Sequence, residues 1–154
     1  MRHALTALAL IAGLTTVALV GFARDANAEG PAITVHKTPW CGCCTDWADH
    51  LRADGFDVTV REHEDLSAVR DRLGVPISLG SCHTAEVQGY AIEGHVPAAD
   101  VRRLLEERPE DVRGLSVPGM PIGSPGMEMG DRQDPYDVIA FGDDGETVFT
   151  EYRP

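Results

Sequence analysis

Ile33-Thr34-Val35-His36-Lys37-Thr38-Pro39-Trp40-Cys41-Gly42-Cys43-Cys44 is the stretch on which the fold turns. Ile33 to His36 alternates and is β-branched, the pattern of a first strand. Thr38-Pro39-Trp40 must turn the chain, because Pro39 cannot continue a strand ladder. From Cys41 to Asp54, the residues Cys44, Trp47, Ala48 and Leu51 recur at helical spacing, and Gly55 is placed to end that helix. A strand running into a helix through a turn is the opening unit of an α/β fold, with three thiols at the junction.

Outward from this unit the same reading continues. Phe56 to Arg61 alternates as a second strand. Asp65 is placed to cap a short helix that buries Leu66, Val69 and Leu73 and closes at Gly74. Thr84 to Ile92 reads as one or two strands broken at Gln88-Gly89. Val101, Leu104 and Leu105 mark a helix that starts after Pro97 and stops before Pro109. Residues 114–135 are rich in Gly and Pro and lack any period, which predicts one long loop. Val138–Phe141 and Thr147–Tyr152 flank Asp143-Asp144-Gly145, a hairpin signal. The predicted order β-α-β-α-β-β-α-loop-β-β makes an α/β sandwich with one mixed sheet, followed by a Met/Gly/Pro-rich loop and a C-terminal hairpin.

The chain has 154 residues, 13 Lys+Arg, 25 Asp+Glu and a formal charge of −12. Residues 1–28 read as a secretory signal: Arg2 and His3, an apolar run over Ala4–Ala23, then the small-x-small site Ala26-Asn27-Ala28. The alternative, an uncleaved membrane anchor, is disfavoured because Gly13, Thr15, Thr16 and Gly21 dilute the run. Cleavage would leave a single domain, 29–154, with 11 basic and 24 acidic residues, a charge of −13. The expected location is therefore the periplasm, with no membrane attachment after cleavage. An acidic excess of this size excludes a nucleic-acid binder, which neutralises phosphates with Lys and Arg, and argues against docking on anionic lipid.

Cys41 and Cys44 form a C-x-x-C at a helix N-terminus, where free N–H groups and the helix dipole stabilise thiolates. The stretch Trp40-Cys41-Gly42-Cys43-Cys44 resembles the thioredoxin active site, but Cys43 adds a thiol that a dithiol exchange enzyme does not need. Crowded soft thiolates select Cu(I), Zn(II) or iron–sulfur clusters; a pair of ordinary disulfides is the plain alternative in an oxidising compartment. The fourth thiol, Cys82, precedes the third strand, at the loop that faces C-x-x-C in thioredoxin-like folds. Every methionine after Met1 lies between positions 120 and 129. A thioether is a soft neutral ligand, so Met120 and Met127 are candidate copper donors, with a hydrophobic lid as the alternative role. His36 and His83 are candidate imidazole ligands by their proximity in sequence to Cys41 and Cys82, with a hydrogen-bonded structural role as the alternative. His95 reads as structural, and His50 and His63 as exposed.

Together, Trp40–Cys44, Ser81-Cys82-His83-Thr84-Ala85, Gly89-Tyr90-x-Ile92-Glu93-Gly94-His95-Val96-Pro97 and Val117-Pro118-Gly119-Met120-Pro121-x-Gly123-Ser124-Pro125-Gly126-Met127 resemble the CopG-type bacterial metal-binding proteins associated with copper resistance. The resemblance implies a periplasmic thioredoxin-like domain that binds copper through Cys41, Cys43, Cys44 and Cys82, with Met120, Met127 and a nearby His as additions. The expected function is to hold Cu(I) for resistance or for transfer to another periplasmic copper-handling protein, and four thiolates can share several cuprous ions in a sulfur-bridged cluster. The competing expectation is a thiol–disulfide oxidoreductase with Cys41 as nucleophile and Cys44 as resolving thiol. Tetrahedral zinc is a third reading; it ordinarily pairs C-x-x-C units and has no use for the Met loop.

Overall fold

The computed structural model describes residues 30–154, so the leader expected at 1–28 lies outside the described residues. The elements are β1 (Ala32–Lys37), α1 (Gly42–Ala53), β2 (Asp57–Glu62), α2 (Ser67–Leu73), β3 (Thr84–Val87), β4 (Tyr90–Gly94), α3 (Ala98–Glu107), β5 (Val112–Val117), β6 (Tyr136–Gly142) and β7 (Gly145–Tyr152). A single 3₁₀ turn, Ile77–Leu79, joins α2 to the loop before β3. All the strands lie in one sheet of order β2-β1-β3-β4-β5-β6-β7. β1–β2 and β4–β5 pair parallel and the remaining neighbours antiparallel, giving the expected mixed α/β sheet. The arrangement is compatible with the thioredoxin-like expectation.

Strand alternation divides the core. Ile33 and Val35 of β1, Ile92 of β4 and Leu115 of β5 pack with Trp47 and Leu51 of α1 and Val101 and Leu104 of α3. Ala91, next to Ile92 in the chain, turns to the opposite face and joins Val75, Leu79 and Phe141. Two helices therefore cover one face, and α2 with the 3₁₀ turn covers part of the other. Trp47 is fully buried, and its indole N–H donates to the Val96 carbonyl at 2.9 Å. Truncating it to Ala costs about 3–5 kcal/mol.

The breaks fall where the sequence placed them. Gln88 and Gly89 both take positive φ, 46° and 90°, the two-residue hairpin geometry that matches strand twist. Gly74 ends α2 in the left-handed conformation, and the Asp65 carboxylate accepts the Ser67 N–H at 2.7 Å at its start. Arg108 ends α3 before Pro109.

One element departs from expectation. Residues 112–117, partly assigned above to the long loop, form β5, a strand inside the sheet. Gly114 gave the loop signal, yet a Cβ there would run into the Ala91 carbonyl and sit 2.7 Å from the Phe141 ring. The glycine marks close approach of neighbouring strands.

Candidate metal centre

Every piece of the site comes from one end of the sheet. β1 runs out through Lys37 into a turn, where the Cys41 N–H bonds the Thr38 carbonyl at 3.1 Å, and Cys41 takes the N-cap position of α1. Cys43 and Cys44 follow in the first helical turn. The loop before β3 brings in Cys82, and the end of β4 brings in His95. Past β5, residues 118–135 fold back over α1 and the β4 end.

Four sulfurs converge. The Cys41, Cys43, Cys44 and Cys82 Sγ atoms all lie within 4.8 Å of one another. Cys41 and Cys44 are joined as a disulfide, while Cys43 and Cys82 are free thiols. Cys43 Sγ stands 3.6 Å from Cys41 Sγ and 3.9 Å from Cys82 Sγ. The disulfide leaves two thiols; its two-electron reduction would present four. An open groove of about 380 Å³, lined by Trp40, Cys41, Leu66, Arg70 and Cys82 among others, reaches the cluster from solvent.

Two imidazoles extend the set. His95 Nε2 lies 3.1 Å and His83 Nδ1 3.4 Å from Cys82 Sγ, and these three residues form a second ligand-like group that shares Cys82 with the first. His83 is fully buried, its ring 4.3 Å from that of Trp47, and its Nε2 has no hydrogen-bond partner. His95 Nδ1 meets the Pro125 carbonyl at 2.8 Å. From the sequence His95 is expected to be structural; the structure puts it against the thiol cluster. His36 goes the other way. Val35 points into the α1/α3 core, so alternation turns His36 to the opposite face, where Nδ1 meets His63 Nε2 at 2.8 Å and Nε2 lies 3.6 Å from Glu86. It is thus grouped with His63 and Glu86, not with the thiols, and His63 is half-buried.

The methionine segments flank the centre through their backbones. The Gly119 carbonyl accepts the Ser81 hydroxyl, which brings the chain before Met120 against the Cys82 loop. Gly126 packs on α1 so closely that a Cβ there would lie 2.8 Å from the Cys43 carbonyl, and Met127 follows it. Met120 and Met129 are exposed and Met127 is half-buried.

Burial pushes the Cys82 thiol up to about 12, with the neighbouring Cys43 adding to the shift. Burial holds His83 well below the ordinary histidine value, His95 reinforcing it, and burial lowers His95 as well. Neutral imidazoles are the ligating form. Burial and the neighbouring Cys43 thiol hold Cys82 protonated, and a soft metal ion bound there would favour its thiolate. Soft thiols with the neutral ring nitrogens His83 Nδ1 and His95 Nε2 beside Cys82 fit a copper ion as cargo.

Comparison with known proteins sets the chain beside copper-resistance proteins. A family model described as a protein of unknown function, DUF411, matches residues 79–127, which include Cys82, His83, His95, Met120 and Met127. Two solved structures named copper resistance protein CopG, forms 2 and 1, match at 54% sequence identity and a TM-score of 0.77. They cover 81% and 82% of this chain and are themselves covered over 100% of their length. No curated protein matches.

Proposed function

The chain belongs to the CopG copper-resistance family, and from that premise we propose that it is a periplasmic copper-binding protein that holds Cu(I) for copper resistance or handling. The observation that carries the reading is the convergence of four cysteine sulfurs, from α1 and from a loop 38 residues beyond Cys44, within 4.8 Å of one another. Cys41, Cys43, Cys44 and Cys82 are the thiolate ligands, and four thiolates can bridge several cuprous ions in one cluster. His83 and His95 supply nitrogen, and Met120 and Met127 are supplementary thioether donors from the overlying loop. Soft sulfur favours Cu(I) over the harder divalent ions, and zinc is the lesser alternative. The signal at 1–28 is cleaved, and the mature chain passes copper to another periplasmic copper-handling protein.

Anaerobic Cu(I) titration of protein whose Cys41–Cys44 disulfide has first been reduced with a phosphine, followed by X-ray absorption at the copper edge, tests this. The expected result is sulfur-dominated ligation with some nitrogen, and copper stoichiometry that falls in both Cys43→Ser and Cys82→Ser. Unchanged stoichiometry in both variants would remove the cluster.

The Cys41–Cys44 disulfide, at the N-terminus of α1 beside an open groove, favours a second reading as a thiol–disulfide oxidoreductase. There the Cys41 thiolate of the reduced form attacks a partner disulfide, and Cys44 resolves the mixed disulfide, releasing the reduced partner and leaving the Cys41–Cys44 disulfide seen here. Insulin-reducing activity that survives Cys43→Ser and is abolished by Cys41→Ser would select it.

A further inference from the structure

The loop that carries Cys82 is held by an ion pair whose carboxylate is buried and whose guanidinium is half-buried. The Glu93 side chain, on β4, is fully buried and the Arg70 side chain, on α2, is 25% exposed. Glu93 Oε1 accepts the Ser81 backbone N–H at 2.6 Å and Arg70 Nε–H at 2.9 Å, and Oε2 accepts the Thr84 hydroxyl at 2.5 Å. Arg70 Nη2 reaches on to donate to the Ser81 carbonyl at 2.5 Å. One residue, adjacent to Cys82, thus has its N–H taken by one member of the pair and its C=O by the other. Ser81 lies outside the strand ladders, so its peptide groups depend on these two side chains.

Stability alone does not account for the pair. Desolvation offsets most of what a buried ion pair gains, and apolar residues of similar volume often serve a core as well. An apolar pair could not accept from and donate to the same peptide residue. We propose that Arg70 and Glu93 are positioning residues for the metal site: by clamping both backbone groups of Ser81, they fix Cys82 Sγ 3.9 Å from Cys43 Sγ and 3.1 Å from His95 Nε2. The assignment rests on the copper reading of that site, and it acts through the loop.

The test uses a probe that needs no copper. Phenylarsine oxide bridges two neighbouring thiols: two As–S bonds form, the thiol protons leave with the arsenical oxygen as water, and no oxidation state changes. In full-length apoprotein with the Cys41–Cys44 disulfide intact, intact mass follows bridging of Cys43 to Cys82. Glu93→Gln removes the charge, and Arg70→Lys keeps a charge but cannot span both partners. The latter keeps the test decisive if the former fails to fold. Val101→Ala, in the α3 core far from the loop in sequence, is the control for general loosening. Bridging is expected to slow about tenfold in both loop variants and to keep the wild-type rate in Val101→Ala, with copper per chain falling in the same two variants. Unchanged bridging in either folded variant overturns the assignment, as does an equal slowing in Val101→Ala. Normal copper loading in a variant whose bridging has slowed also overturns it. Wild-type protein that takes up no copper would defeat the copper reading, and the bridging rates alone would then decide whether the pair holds Cys82.

Discussion

A carbonyl can only accept, so the 2.8 Å contact between His95 Nδ1 and Pro125 O fixes the proton on Nδ1 of the neutral ring. The Nε2 lone pair then faces Cys82 Sγ at 3.1 Å, where it can accept from the thiol or join it in holding a soft cation. His95→Gln, which can still donate to the Pro125 carbonyl, is expected to bind Cu(I) about ten- to a hundredfold more weakly and to lower the nitrogen share at the copper edge. Unchanged affinity with an unchanged edge spectrum would remove His95 from the ligand set. The hairpin signal at Gln88-Gly89 already contained this residue's role. With Thr84 paired to Glu93, the same register carried outward sets Cys82 across from His95. The thiols of Cys41, Cys43 and Cys44 were legible from spacing on one helix, whereas His95 needed pairing arithmetic between two strands. His36 misled for the converse reason: closeness in sequence says nothing about which face of a strand a side chain takes.

Among the elements, the helices and the hairpins were legible because their breakers and their periods agree. Gly74 and Pro109 follow the ends of α2 and α3, Pro97 precedes the start of α3, and Asp143-Asp144-Gly145 turns the chain from β6 into β7. β5 was not legible, since the glycine that lets it pack against Ala91 is the residue that reads as loop. The seam between segment 118–135 and α1 was invisible for a related reason: it is made by backbone. Turn bonds such as Met127 N–H to Ser124 O at 2.8 Å and Asp134 N–H to Ile122 O at 2.8 Å shape the segment, and Gly126 seats it on α1. Gly126 has φ +82°, and a Cβ there would lie 2.7 Å from the Trp47 nitrogen. Gly126→Ala is therefore expected to cost about 1–3 kcal/mol, concentrated in the seam. Limited proteolysis should cut within 118–135 faster than in wild type while the sheet stays protected. An unchanged cleavage rate would mean that the segment is not held by this contact.

At the scale of the molecule, the thiol centre occupies one end of the sheet, while a second polar cluster joins β1, β3, α2 and the residue that follows β2. His36 is 4% exposed and lies between His63 and Glu86, with Arg72 bonded to Glu86 at 2.8 Å. Burial lowers the pKa of His36; the nearby Glu86 carboxylate opposes the shift, and the His63 and Arg72 charges add to it. Glu86 is also lowered, chiefly by its hydrogen bond from Arg72. Both signs run the same way. An imidazole with a depressed native pKa binds fewer protons folded than unfolded, so stability is full above the ordinary value of 6.5 and is lost as pH falls from there towards the native pKa. Glu86 adds its own loss only below the ordinary carboxyl value of 4.5. Urea unfolding of apoprotein with the disulfide intact should therefore give a lower midpoint at pH 5.5 than at pH 7.5. His83 and His95 are shifted in the same direction, so His36→Gln should reduce this difference and leave a remainder. A variant whose midpoint falls by as much as the wild type's between those two pH values would show that the buried His36 does not contribute to the acid sensitivity of the fold.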